Sequence, residues 1–144
     1  MAVYIEEFQM KDYDEVFDLW KHVFPKNTDS SYSRDRVEFF LKRNPGTSFV
    51  AWWEGKIVGA VLAGNDGRRG YIHHLGLLEE YRGRGIGALL LQKAESAIAE
   101  LGIDKVNLLV FTENEGAKKF YDQKGYSKRD DIDFFSKWLV KQQE

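Results

Sequence analysis

The sequence predicts an α/β (α+β) domain, residues 1–144, built on a mixed, mostly antiparallel central sheet of about six to seven strands flanked by helices. Strand-like runs and runs with one-sided helical spacing follow one another in the order β-α-α-β-β-β-α-β-α-β-β along the whole chain. Three strand-like runs in the middle are separated only by turn signals, which makes consecutive antiparallel strands the simplest connection. A basic, glycine-rich turn then leads directly from a strand into an amphipathic helix. At 144 residues, 43% hydrophobic and 15% aromatic, the chain can bury one core and is too short for two of ordinary size.

Val3 to Phe8 has strand-forming residues and little helical periodicity. Asp12 is placed to cap a helix through about Phe24, because Val16, Phe17, Leu19, Trp20 and Val23 share one face. Pro25 and the polar run Lys26 to Ser31 break it. A second helix is predicted from about Ser33 to Arg43, with Val37, Phe40 and Leu41 inward, ending before Pro45. Ser48–Trp53 and Lys56–Ala63 flank Glu54-Gly55, a two-residue hairpin signal. Asn65 to Gly70 is a second turn, and Tyr71 to Leu78 returns as a strand. The next helix is predicted from about Gly85 to Leu101, with Leu89, Leu90, Ala94, Ala97, Ile98 and Leu101 buried and Gly102 stopping it. Lys105 to Phe111 is a near-continuous apolar run, as expected of a strand covered on both faces. A fourth helix starts at Asn114 and ends at Gly125. Tyr126–Arg129 and Ile132–Val140 read as two more strands, although Phe134, Phe135, Trp138 and Leu139 also fit a helical stripe.

The charge balance of −2 offers nothing to favour nucleic acid. With no cysteine there are no disulfides, thiolate nucleophiles or zinc–thiolate sites. No run approaches the roughly 20 apolar residues that span a bilayer, and the N-terminus lacks a basic segment followed by an apolar one. A cytoplasmic protein, monomeric or homodimeric, without membrane or nucleic-acid partners, is the expectation.

Leu75 to Leu91 carries the chemistry. Glycines let backbone N–H groups approach an anion closely, while the positive end of a helix and the charges of Arg82 and Arg84 offset its charge. Gly83-Arg84-Gly85-Ile86-Gly87-Ala88 also satisfies the dinucleotide fingerprint G-x-G-x-x-G/A. That alternative fits its context poorly. Glu79 to Arg82 intervene between strand and glycines, most of the sheet already precedes them, and no acidic residue closes the next strand about 20 residues on.

Arg82-Gly83-Arg84-Gly85-Ile86-Gly87 resembles the acyl-CoA loop of the GCN5-related N-acetyltransferase (GNAT) superfamily: Arg or Gln, two residues, Gly, one residue, Gly or Ala. The element order is also that of the superfamily, so the resemblance covers nearly the whole chain. Around Tyr81 to Ile86 it is similar to small bacterial-type, YpeA-like members. The resemblance implies the GNAT fold and an acetyl-CoA-dependent N-acetyltransferase that needs no metal. It implies that the backbone of residues Arg82 to Ala88 holds the CoA pyrophosphate. Pantetheine would lie like an extra strand against Leu75 and Leu77, in a slot between their strand and that of Leu108 to Val110. Gly76 suits either close approach of the cofactor or plain packing. Asn114 would contact the cofactor or act only as a helix cap, and Tyr121, seven residues on, would donate a proton to the departing thiolate.

Relatives that acetylate N-terminal amines often carry Glu five residues before that Asn; here the position is Leu109. His74 and His73 are the best remaining titratable candidates for the base, and since adjacent strand residues face opposite sides, at most one would line the cleft. Glu79 and Glu80 are alternatives acting through water. Trp20, Tyr32, Glu38, Trp52 and Trp53 are candidates for an acceptor pocket suited to a cationic amine. The acceptor is expected to be a primary amine on a protein N-terminus, a lysine or a small molecule. The alternative is a non-catalytic acyl-CoA sensor or partner module on the same fold.

Overall fold

A computed structural model describes residues 3–26 and 29–141. Asn27 and Thr28, within the polar run expected to follow the first helix, lie outside the described residues. The chain divides into two compact units, Met1–Leu109 and Val110–Glu144.

The first unit contains β1 (Val3–Glu7), α1 (Tyr13–Val23), α2 (Arg34–Arg43), β2 (Phe49–Trp53), β3 (Lys56–Asn65), β4 (Gly70–Leu77), α3 (Ile86–Ala99) and β5 (Val106–Leu108). The sheet order is β1-β2-β3-β4-β5. The first three pairings are antiparallel, and β4–β5 is parallel. The sheet is therefore mixed, with five strands among the described residues where about six to seven were expected.

The β2–β3 hairpin closes as the sequence predicts. Glu54 and Gly55 both take positive φ, 49° and 78°, which matches the twist of the flanking strands. Trp53 then pairs with Lys56, and a bulge follows between Ala51 and Trp52 in the pairing register. In the β3–β4 turn Asp66 accepts hydrogen bonds from the amides of Arg68 and Arg69, at 2.8 and 2.9 Å.

Each face of the sheet carries a helical layer. Tyr13, Val16, Leu19 and Trp20 of α1 and Val37 of α2 are buried together with Phe8, Ile57, Ala60 and Leu62. On the opposite face Ile86, Leu90, Leu91, Ala94 and Ile98 of α3 are buried. Side chains on Gly59 and Gly70 would strike Leu90 at 3.1 Å and Ile98 at 2.8 Å, so α3 packs directly on these glycines. The expected buried stripe is thus rotated: Leu91 and Ile86 are inward, while Leu89 and Leu101 are exposed.

Asp12 occupies the N-cap position of α1, but its side chain makes no cap hydrogen bond there. Its carboxylate accepts from the Gln9 amide at 3.0 Å, closing the short 3-10 turn Met10–Asp12 that precedes the helix. Ser33 caps α2 through Arg36 N.

β5 covers only three residues, all half-buried, and Leu109 is exposed, in place of a long strand covered on both faces. A continuous apolar run supplies propensity but no pairing partner.

In the second unit α4 (Glu115–Gln123) is the one regular element among the described residues, ending as expected before Gly125. Neither expected tail strand forms. Lys128 pairs with Asp130 and Arg129 with Asp131, so the charges satisfy one another two residues apart and favour a local bend. The apolar residues beyond it come in adjacent groups, Phe134-Phe135 and Trp138-Leu139-Val140, which break strand alternation, and the helix that Phe134, Phe135, Trp138 and Leu139 would allow does not form either. Among the described residues no helix is long and apolar enough to cross a membrane.

Candidate functional site

β4 leads through a short 3-10 turn, Glu79–Tyr81, to Arg82 and the glycine loop. Gly83 and Gly85 take φ of +80° and +82°, a left-handed conformation that costs a residue with Cβ about 1–2 kcal/mol. Gly85 is the N-cap of α3, with no side chain capping the helix. Its carbonyl accepts from Leu89 N at 3.1 Å, so the amides of Ile86, Gly87 and Ala88 belong to the first turn and have no intrahelical acceptor. A Cβ on Gly83 or Gly85 would meet nothing within 4 Å, so the space beside these two glycines is open. Arg82 is exposed, and its guanidinium has no partner among the described residues. Arg84 behaves differently: its guanidinium lies 5.0 Å from the centre of the Trp53 ring and 5.5 Å from that of Tyr81.

Immediately upstream, β4 runs alongside β3 as far as Leu77 but pairs with β5 only over Gly70, Tyr71 and Ile72. Leu78 N donates to Val58 O at 2.9 Å. By the two-residue alternation of an antiparallel ladder, Gly76 also directs its backbone groups to β3, whereas Leu75 and Leu77 direct theirs to the opposite side. There β5 has already ended, opposite Ile72, and they have no strand partner on that side among the described residues. Gly76 serves packing: a Cβ would come within 2.9 Å of the Phe24 ring and 3.4 Å of Leu19.

A bulge changes the expected placement of the two histidines. Leu62 pairs with His74 and Ala63 with Ile72, leaving His73 as the extra residue of β4. The alternation slips by one there, so both imidazoles meet the α1–α2 layer. His73 touches Phe40 edge-on at 5.4 Å and stacks with Tyr71 at 6.0 Å. His74 is sandwiched between Tyr32, at 4.1 Å and 7°, and Phe24, at 4.4 Å and 25°, with Trp20 edge-on at 5.4 Å. It is only 7% exposed, and its Nδ1 has no hydrogen-bond partner.

Burial disfavours the imidazolium, and with His73 beside it outweighs the opposing pull of Asp29, pushing the His74 pKa down to about 4. Partial desolvation by the neighbouring rings lowers that of His73 as well, although the residue remains exposed. Both rings are neutral acceptors at pH 7, and His74 is a weak one.

The proposed acceptor aromatics do not form one pocket. Trp20 is fully buried and packs with Phe8 and Tyr32, and Trp52 packs against the same core. Glu38 pairs with Lys42 at 3.5 Å, while Trp53 stands with Tyr81 and Arg84.

In the second unit Asn114 caps α4, its Oδ1 accepting from Ala117 N at 3.0 Å. Tyr121 packs edge-on with Phe120 and Tyr126 at 5.2 and 5.6 Å, and burial pushes its pKa up to about 12. Its phenol is therefore protonated across the neutral range. Glu79 and Glu80 are exposed. Two features escaped the sequence: the bulge at His73, which exists only in the pairing of two strands, and the Trp53–Arg84–Tyr81 cluster, whose members belong to separate elements.

The glycine loop follows the fourth strand of a sequentially ordered sheet, not a first strand, which separates it from dinucleotide-binding folds. The model of the Acetyltransferase (GNAT) family, a class of acyltransferases, matches residues 13–126, and the chain belongs to that family. Among its relatives is an acetyltransferase of Sodalis glossinidius, 31% identical over 140 residues that cover 97% of this chain and 98% of that one. Among solved structures, the PaiA N-acetyltransferase of Thermoplasma acidophilum in complex with coenzyme A superposes with a TM-score of 0.78. It is 20% identical, over 90% of this chain and 92% of that one, a likeness of fold. Arabidopsis thaliana Naa50, in complex with a bisubstrate analogue, gives a TM-score of 0.75 and 27% identity over 90% of this chain and 86% of that one.

Proposed function

We propose that this acetyltransferase moves an acetyl group directly from acetyl-CoA to a primary amine of a protein N-terminus, a lysine or a small molecule. The observation that carries the reading is the open edge of β4 at Leu75 and Leu77, ending at three acceptor-free amides, Ile86 to Ala88. An extended pantetheine chain suits the unpaired strand edge, and a diphosphate suits the amides with the positive end of α3. Arg82, exposed beside the loop, supplies counter-charge.

In the reaction the neutral amine nitrogen attacks the thioester carbonyl, the C–S bond breaks, and the sulfur leaves as a thiolate. Tyr121 has the role that family resemblance gives it, donating to that sulfur. With a pKa near 12 against about 8.5 for an ordinary thiol, its phenol stabilises the thiolate by hydrogen bonding more than by outright transfer. Asn114 is assigned to cofactor contact in addition to its cap.

His73 and His74 are the candidate acceptors of the amine proton. His73 is the better placed, because it retains solvent access while His74 is enclosed by rings. A second reading, CoA binding without turnover, is favoured by Leu109 at the position of the usual carboxylate and by the depressed basicity of His74. Free-CoA release measured over a panel of amines separates the two. Acetyl-CoA binding with no release on any amine would overturn the transferase reading and leave the sensor.

A further inference from the structure

The glycine loop has a mechanical weakness. Gly83 and Gly85 flank Arg84, both with positive φ and open space around them, so this segment is intrinsically the freest part of the chain between β4 and α3. Acceptor-free amides hold an anion well only when their direction is fixed beforehand, since ordering a loop on binding consumes part of the interaction. Between residues 83 and 85 one side chain alone, that of Arg84, is able to anchor the backbone.

Its surroundings are specific. Trp53 is the last residue of β2, paired across the hairpin with Lys56 and across the sheet with Val3. Tyr81 closes the 3-10 turn, where its amide donates to Leu78 O at 3.0 Å. Their rings stand 5.8 Å apart at 57°, and the Arg84 guanidinium lies within cation–π range of both. Its Nη2 also approaches the Glu80 carbonyl at 3.5 Å.

We propose that Trp53 and Tyr81 clamp Arg84 and thereby pre-order the Gly83–Gly85 loop for the donor diphosphate, Trp53 and Tyr81 acting as positioning residues. The two arginines of the motif divide the work: Arg82 supplies charge, and Arg84 ties the loop to the end of the β2–β3 hairpin. This assignment rests on the donor reading above, and it moves Trp53 from the acceptor side to the donor side.

The test is a thermodynamic cycle on CoA affinity measured by calorimetry. Trp53→Ala and Arg84→Ala should each raise the Kd for CoA about 3- to 10-fold, the scale of a cation–π contact at a partly exposed site, and the double variant should do no worse than the weaker single. Trp53→Phe, which keeps a ring and the strand, should recover most of the affinity. In turnover assays the KM for acetyl-CoA should rise while kcat at saturating donor holds. Additive losses, or a Trp53→Ala variant with wild-type affinity, would overturn the clamp and make Arg84 a direct phosphate contact.

If the wild-type protein binds no CoA, the donor reading fails. The clamp is then judged by hydrogen exchange at the Leu89 amide, whose bond to Gly85 O closes the first turn of α3. Faster exchange in Trp53→Ala supports it, and unchanged exchange overturns it.

Discussion

Acidification should remove a definable share of stability through His74 alone. The ring is 7% exposed, stacked on both faces, and without a partner at Nδ1, so protonation inside the fold puts a cation among Phe24, Tyr32 and Trp20. Its pKa falls from 6.5 to about 4 on folding. A group whose folded pKa is depressed leaves stability intact above the unfolded pKa, because it is neutral in both states there. The loss begins as pH drops below 6.5 and levels off below the folded value. Worked through the linkage relation, the cost is about 2 kcal/mol at pH 5 and about 3 kcal/mol at pH 4 relative to pH 7. Urea unfolding of wild type and His74→Phe at pH 7, 6, 5 and 4 isolates the term, since other titrating groups act in both proteins. The difference in unfolding free energy between the two should shift by those amounts in favour of the variant. Parallel stability curves between pH 7 and 4 would show that the imidazole is not held neutral by its cage.

Other substitutions should separate structure from chemistry. Tyr121→Phe should lower kcat about 100-fold, the scale of one lost hydrogen bond to a charged sulfur, while CoA affinity measured by calorimetry stays unchanged. Gly85→Ala meets no neighbour but keeps φ at +82°, so a loss of about 1 kcal/mol in thermal unfolding should accompany weaker CoA binding. Asn114→Ala removes the cap of α4 and should cost about 1 kcal/mol in denaturant unfolding. Trp20→Ala, fully buried, should cost about 3–5 kcal/mol by the same measurement.

Features written locally in the sequence were the legible ones. Glu54-Gly55 fixes its hairpin because two adjacent positions must take positive φ, and the face of α1 follows from spacing alone. The glycine loop was equally visible, since positive φ at Gly83 and Gly85 is a property of those residues and of the helix start they precede. What needed a partner was not. Lys105–Phe111 has the composition of a long strand, yet only Val106–Leu108 has a neighbour to pair with, and the tail strands find none. The orientation of His73 and His74 was misread for the same reason: alternation along one strand cannot reveal an extra residue relative to the next. Arg84 looked interchangeable with Arg82 until Trp53 and Tyr81 came near it.

The surplus residue at position 73 has a consequence for the rest of β4. Because the bulge absorbs it, everything from His74 to Leu77 keeps its phase against β3: Gly76 lies under Phe24, and Leu75 and Leu77 turn their amides outward. Removing His73 would leave Ile72 opposite Ala63 and His74 opposite Leu62 and restore plain alternation, whereas removing a residue between His74 and Leu77 would turn the outward amides toward β3. The neighbouring strand, and not the length of β4, thus sets the direction of the edge, and position 73 is where β4 tolerates a deletion without losing it.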